Sequence, residues 1–250
     1  MPSRPPLPDT ADGADARAPL ERLLAAAVRL ARELPTDRPV LGIVRGWSRA
    51  DRDHARTLRT HLARQGIPAV ELSPVPEAGE RHRLPHNRPR PRADLLLRAG
   101  HSFYDQTLRA AALWDLPLLT ERRPQEHPGA LTRSGGHRHP VIGARLPDGT
   151  LDIAVRQASL TCLQPHPGDA DLLLDNRKIT TPAQRPVRIS LTPDGSLQVC
   201  TDTFSRRVRH LRYERTWGIC RLDLDGAPAH DVRAAVRLEA LPRRLHLLHP

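Results

Sequence analysis

Lysine is almost missing from this chain. Of 39 Lys and Arg residues only Lys178 is lysine, and with 28 Asp and Glu the net charge is +11. A pI of about 11.1 invites a nucleic-acid reading. The arginines are spread along the chain, and the abundance of Ala, Pro, Leu and Asp points to codon bias from a GC-rich genome. Aromatic residues make up 3% of the chain, too few for a base-stacking platform. Nucleic acid therefore ranks last among the partners, and a phosphate-bearing small molecule or nucleotide suits the charge. Cysteine is scarce as well. Cys162, Cys200 and Cys220 form no Cys-X-X-Cys pair, which excludes a zinc ribbon or a disulfide framework and leaves reduced thiols in strands. Mean hydropathy is −0.51, and no apolar run has the length of a membrane span. The start, residues 1 to about 16, lacks the apolar core of a signal peptide, so a cytoplasmic location is expected. No Gly-X-Ser-X-Gly elbow occurs. Ser134-Gly135-Gly136-His137 has no Gly-Lys-Ser/Thr after it and is not a phosphate-binding Walker loop. The histidine groupings His137/His139 and His246/His249 lack a third ligand, and no metal site is assigned to them.

What is present divides the chain. Residues 1–18 are Pro- and Asp-rich and expected to be disordered. Residues 19–123 read as an α/β nucleotide-binding-like domain with a parallel, Rossmann-like sheet. Residues 124–250 read as a β-rich sandwich domain. Pro19–Leu34 is an amphipathic helix with an apolar stripe of Leu20, Leu23, Leu24, Ala27, Val28 and Leu30. It packs on the domain or makes a homo-oligomer contact. Arg38–Val44 is a buried strand. Ser48 then caps a helix with Asp51 at its third position, and Gly66 stops that helix. Strand Ile67–Leu72 completes a βαβ unit. Pro74–Arg92, rich in proline and arginine, is a long loop. Beyond Glu121 the period changes. Pro147-Asp148-Gly149 and Pro193-Asp194-Gly195 mark hairpins. Strands are expected at Leu151–Val155, Leu160–Leu163, Val187–Leu191, Leu197–Cys200, Arg207–Arg212, Gly218–Leu224, Ala235–Ala240 and Leu245–Leu248.

The stretch Ala93–Leu119 carries the chemistry. Leu95-Leu96-Leu97 suits a strand buried on both faces. Helical spacing begins near Thr107, with Leu108, Ala111, Ala112 and Leu113 as its apolar side. Leu116–Leu119 opens the next strand. In an open α/β sheet ligands bind at the turns after strand carboxyl ends. Here that turn holds Ser102, Tyr104, Asp105, Gln106 and Thr107. Asp105 is either a catalytic carboxylate or a cap of the Thr107 helix.

These residues resemble the NAD kinase and diacylglycerol kinase superfamily. Its members carry Gly-Gly-Asp-Gly-Thr between an apolar strand and a helix, where this chain has Phe103-Tyr104-Asp105-Gln106-Thr107. Asp and Thr are kept and the glycines are not. Leu160-Thr161-Cys162-Leu163-Gln164-Pro165-His166-Pro167 resembles the Leu-Thr-Pro-X-Cys-Pro-His stretch of NAD kinases. Leu222–Gly226, Val236–Glu239 and Leu245–Leu248 resemble their closing strands. The family's Asn-Glu pair and Gly-Ser-Thr-Ala-Tyr segment have no counterpart. The resemblance implies an ATP-dependent phosphotransferase acting on a hydroxyl of NAD or a related small molecule, with reduced or redirected activity. It implies Asp105 beside the acceptor hydroxyl and Mg²⁺–ATP as donor. Arg45, Ser48 and Thr107 would face the phosphates, and Tyr104 and Gln106 would line the nucleotide site. Left-handed backbone at the lost glycines would cost about 1–2 kcal/mol per residue. A non-catalytic descendant that binds a nucleotide or a partner stands as the alternative.

Overall fold

In the computed structural model, residues 17–46, 48–72, 90–99, 104–120, 137–163, 168–215 and 218–250 are described. The Pro- and Asp-rich start, most of Pro74–Arg92, Ser102 and Phe103, Ser134–Gly136 and Gln164–Pro167 lie outside them.

The first half is a three-layer arrangement. Helix α1 (Arg17–Glu33) precedes strand β1 (Leu41–Arg45), helix α2 (Arg49–Arg64), β2 (Ala69–Leu72), β3 (Leu95–Ala99), helix α3 (Tyr104–Trp114) and β4 (Leu118–Leu119). β1 lies between β2 and β3 and is parallel to both, with Leu41 level with Ala69 and with Leu95. β3 is buried along its whole length, as its unbroken leucine run requires. Leu95 and Leu97 pack with Leu23 and Ala27 of α1 and Leu58 and Leu62 of α2. Leu96 turns to the other face and meets Leu108 and Ala111 of α3. Burying each such leucine contributes about 1.5–3 kcal/mol. The stripe of α1 is thus covered within the chain. Ser48 caps α2 by accepting from the Asp51 N–H at 3.0 Å. Gly66, at φ +73°, ends that helix in the left-handed conformation.

α3 begins at Tyr104, three residues before the start read from the sequence. Tyr104, Asp105 and Gln106 therefore form its first turn and do not precede it. Apolar periodicity cannot mark a first turn made of such residues. Asp105 is inside the helix and is not its N-cap.

The sheet continues into the second half. The C-terminal strand β16 (Val236–Leu248) runs parallel to β4, with Leu247 level with Leu118, and pairs antiparallel with β5 (His137–Arg145) and β13 (His210–Arg215). One mixed sheet of 10 strands results. Its order is β2-β1-β3-β4-β16-β13-β8-β9, with β8 at Asp169–Leu174, β9 at Arg177–Pro182, and β5 and β6 (Leu151–Ala154) off this path. The second sheet is antiparallel throughout. Its 6 strands run β12 (Ser205–Val208), β11 (Leu197–Cys200), β10 (Val187–Leu191), β7 (Gln157–Cys162), β14 (Cys220–Leu224) and β15 (Ala227–Val232). Leu172, Leu211 and Val236 of the first sheet pack against Leu160, Ile189, Val199 and Leu222 of the second. Among the described residues from 137 onward there is no helix, and no described helix is long and apolar enough to cross a membrane.

The strand expected at Arg207–Arg212 is two strands. β12 belongs to the second sheet and β13 to the first, and the chain changes sheets at Arg209, whose N–H, with that of His210, donates to the Asp175 carboxylate. The two segments expected at the C-terminus are one strand with an irregular step between Leu241 and Leu245.

Candidate active site at the carboxyl edge of the parallel strands

The carboxyl ends of β1 and β3 lie side by side, with Arg45 level with Ala99. The segments that follow start α2 and α3. Of the residues singled out by sequence, the topology brings Arg45, Ser48 and the Tyr104–Thr107 turn to this edge. Arg45 Nε donates to Glu71 Oε2 of β2 at 3.0 Å, and a second arginine, Arg59, pairs with Glu71 Oε1 at 3.0 Å. One carboxylate is thus shared between two guanidiniums. The Ser48 hydroxyl serves the cap of α2. Thr107 is 2% exposed. The side chains of Tyr104, Asp105 and Gln106 lie outside the described residues.

α3 is fastened to the second half at two levels. Arg109, one turn after Asp105 on the same helix face, is buried. Its Nε donates to Ile153 O at 2.6 Å and its terminal amine to the Asp152 oxygens at 3.0 and 3.1 Å. Asp152 also accepts from its neighbour's N–H, Ile153, at 2.7 Å. It meets His230 Nε2 of β15 at 2.8 Å. At the other end of α3, Arg244 of β16 donates to Ala112 O and Leu113 O and pairs with Asp115, which supplies donors and positive charge at a helix C-terminus.

The Arg109–Asp152–His230 cluster was not found by sequence reasoning. From the sequence none of the three received a role, and Asp152 fell only within the strand expected at Leu151–Val155. A signal was present. Leu108, Ala110, Ala111 and Ala112 surround Arg109, and a segment apolar on all sides leaves a charge in its midst no water to face.

The Asp225-Gly226 turn, between β14 and β15, also anchors this joint. Asp225 accepts from the N–H groups of Val155, Arg156 and Gln157 at 2.8, 2.8 and 3.2 Å. Burial pushes its carboxyl above the ordinary range, while these three N–H groups and the Arg109 charge pull it back. His139, Arg138 and His137 stand opposite Leu245, His246 and Leu247. Among the described residues no group of three or more His, Cys, Asp or Glu could hold a metal ion.

No protein-family model and no curated protein matches the sequence. Solved structures do match. One is an NAD kinase from Archaeoglobus fulgidus in complex with ATP, with a TM-score of 0.50 and 13% identity, over 81% of this chain and 91% of that one. The fold is that of an NAD kinase.

Proposed function

We propose that the protein is an ATP-dependent phosphotransferase of the NAD kinase type, acting on a hydroxyl of NAD or a related small molecule. The observation that carries this reading is the position of Asp105 and Thr107 in the first turn of α3, at the carboxyl edge of the parallel strands of an NAD kinase fold. Phosphoryl transfer needs little covalent help from a protein and much positioning and positive charge. The first-turn N–H groups of α3 suit phosphate oxygens. Arg45 would add a guanidinium, shared with Glu71. Tyr104 and Gln106 would line the nucleotide, and Asp105 would orient or deprotonate the acceptor hydroxyl. Arg109 and Arg244, clamped to β6 and β16, hold the helix that carries Asp105.

The donor set suits magnesium rather than a caged metal. Magnesium is bound through one or two carboxylates plus substrate phosphates, and Asp105 would be that carboxylate. When bound, the ion neutralises charge on the transferring phosphate.

A second reading is a non-catalytic descendant that binds a nucleotide or a partner. It is favoured by the side chains of Phe103, Tyr104 and Gln106 where glycines would let phosphates approach the backbone. The commitment of Ser48 to a cap and the burial of Thr107 point the same way. Thermal shift with ATP, NAD and NADP, each with and without Mg²⁺, separates the classes, because a ligand of the folded state raises the melting temperature. Both nucleotide readings expect a shift with ATP or NAD. No shift with any of the three would leave only partner binding.

A further inference from the structure

Cys162 and Cys220 face each other across β7 and β14 as direct partners in the antiparallel register. The next N–H along β7, Leu163, donates to Ile219 O at 3.1 Å. That bond makes the cysteines a non-hydrogen-bonded pair, the kind whose side chains stand closest, with Cα atoms about 4.5 Å apart. A disulfide spans this separation. Both thiols point inward, continuing the buried positions Ala158 and Leu160 on β7 and Leu224 and Leu222 on β14. From the facing sheet, β13 brings Tyr213 to Cys220 and Arg215 to Cys162. The Cys220 thiol donates to Arg221 O at 3.7 Å, and the Arg215 guanidinium donates to Cys162 Sγ. Cys220 is buried and Cys162 half-buried. Burial pushes the Cys220 thiol up to about 11, so it keeps its proton until a partner sulfur is activated. Cys200, half-buried like Cys162 and 3.0 Å from Ser205 Oγ, has no cysteine opposite it. It stands on β11 level with exposed Arg188, which β10 separates from β7.

We propose that Cys162 and Cys220 form an oxidisable dithiol, a modification site at which a hydroperoxide converts the pair to a cross-strand disulfide. Cys162 gives its proton to solvent, and its sulfur attacks the peroxide oxygen. A sulfur–oxygen bond forms, the oxygen–oxygen bond breaks, and hydroxide leaves, giving a sulfenic acid. The Cys220 sulfur then gives up its proton and attacks the Cys162 sulfur. The sulfur–sulfur bond forms and the sulfenyl oxygen leaves as water. The two thiols are oxidised by two electrons and the peroxide is reduced. The Arg215 charge stabilises the negative charge carried by the attacking sulfur.

The test is treatment of the full-length protein with hydrogen peroxide, alkylation of the remaining thiols, and peptide mapping by mass spectrometry without reductant. The expected product is a Cys162–Cys220 linked peptide, with Cys200 alkylated, and dithiothreitol returns it to two thiols. Arg215→Met is expected to slow its formation about tenfold, the loss of one charge-assisted hydrogen bond. Cys220→Ser is expected to leave a sulfenic acid at Cys162 that dimedone captures. The mapping of the unmodified sequence decides the matter even if a variant misfolds. Oxidation of Cys162 no faster than of Cys200, or its passage to sulfinic acid while Cys220 is still alkylated, would overturn the proposal.

Discussion

The layer under α3 and the core of the sandwich bury their side chains in opposite ways. The sandwich core is apolar but for Tyr213, Cys220, whose thiol donates to a backbone carbonyl, and Thr181 at its side. The layer under α3 buries Arg98, Thr107, Arg109, Thr120 and Asp152. Desolvating charge is costly, and pairing offsets the cost without making such a site more stable than well-packed apolar side chains. Stability alone does not call for charge at this depth. The charge lies beside the edge where Asp105 enters α3, so the two layers differ in what they bury: apolar side chains in the sandwich, paired charge under α3.

Arg109→Ala should be the most damaging change to that contrast. It removes the guanidinium from Asp152, 2% exposed in its side chain, and should cost about 3–5 kcal/mol in urea unfolding. Arg109→Met combined with Asp152→Leu should recover most of this loss, since an apolar pair fills the same space. If Arg109→Ala costs no more than Arg207→Ala, which removes an exposed pair with Asp194 worth under about 1 kcal/mol, the two layers do not differ. Leu222→Ala, in the dry core, should cost about 2–5 kcal/mol by the cavity it leaves, and its loss should not depend on salt. Gly226→Ala comes next. Its φ is +80° with open space around a new Cβ, so the expected cost is backbone strain alone, about 1–2 kcal/mol.

The smallest effect separates two acids at turns by sign. The Asp225 carboxyl is raised above 3.8, first by burial. The folded chain then binds a proton more tightly than the unfolded one. Its contribution to stability is full below 3.8 and is lost as pH rises through the raised value. Asp194 is lowered to about 2, first by the Thr192 and Ser196 hydroxyls. Its contribution is present above 3.8 and lost as pH falls toward that value. Melting curves from about pH 3 to 6 should therefore lose a falling slope in Asp225→Asn and a rising one in Asp194→Asn. Asn suits the left-handed φ of 53° at Asp225. Identical slope changes in the two variants would show that burial does not distinguish these turns.

Much of the first half was legible because its residues agree with their local neighbours. Leu95-Leu96-Leu97 could only be an inner strand. Ser48, Asp51 and Gly66 marked both ends of α2, and the observed cap uses the Ser48 oxygen. The alternation Val187-Arg188-Ile189-Ser190-Leu191 matches the observed burial of β10. The second half was less legible. β8 and β9 are joined by Asp175-Asn176, both at positive φ (45° and 70°), a primed turn with no glycine or proline to flag it. β15 contains Pro228, which an edge strand tolerates and which hides the strand from pattern reading. β5 opens with His137, Arg138 and His139, and its identity comes from pairing with β16. At the proposed site, the turn at the start of α3 was visible in Asp105 and Thr107. The charges that clamp its helix were not, because Asp152 and His230 are 78 positions apart and meet only through the sheet topology.

The central claim is tested most directly by transfer of the γ-phosphate of ATP to NAD in the presence of Mg²⁺, with the wild-type chain and Asp105→Asn compared side by side. Transfer by the wild type is expected, with turnover falling about 10²–10⁴-fold in the variant, the usual contribution of a positioned acid–base group. The variant should melt close to the wild type, since it loses only a first-turn charge worth about 0.3–1 kcal/mol against the helix dipole. Undiminished turnover in Asp105→Asn, or no transfer by the wild type to NAD or related acceptors, would contradict the account.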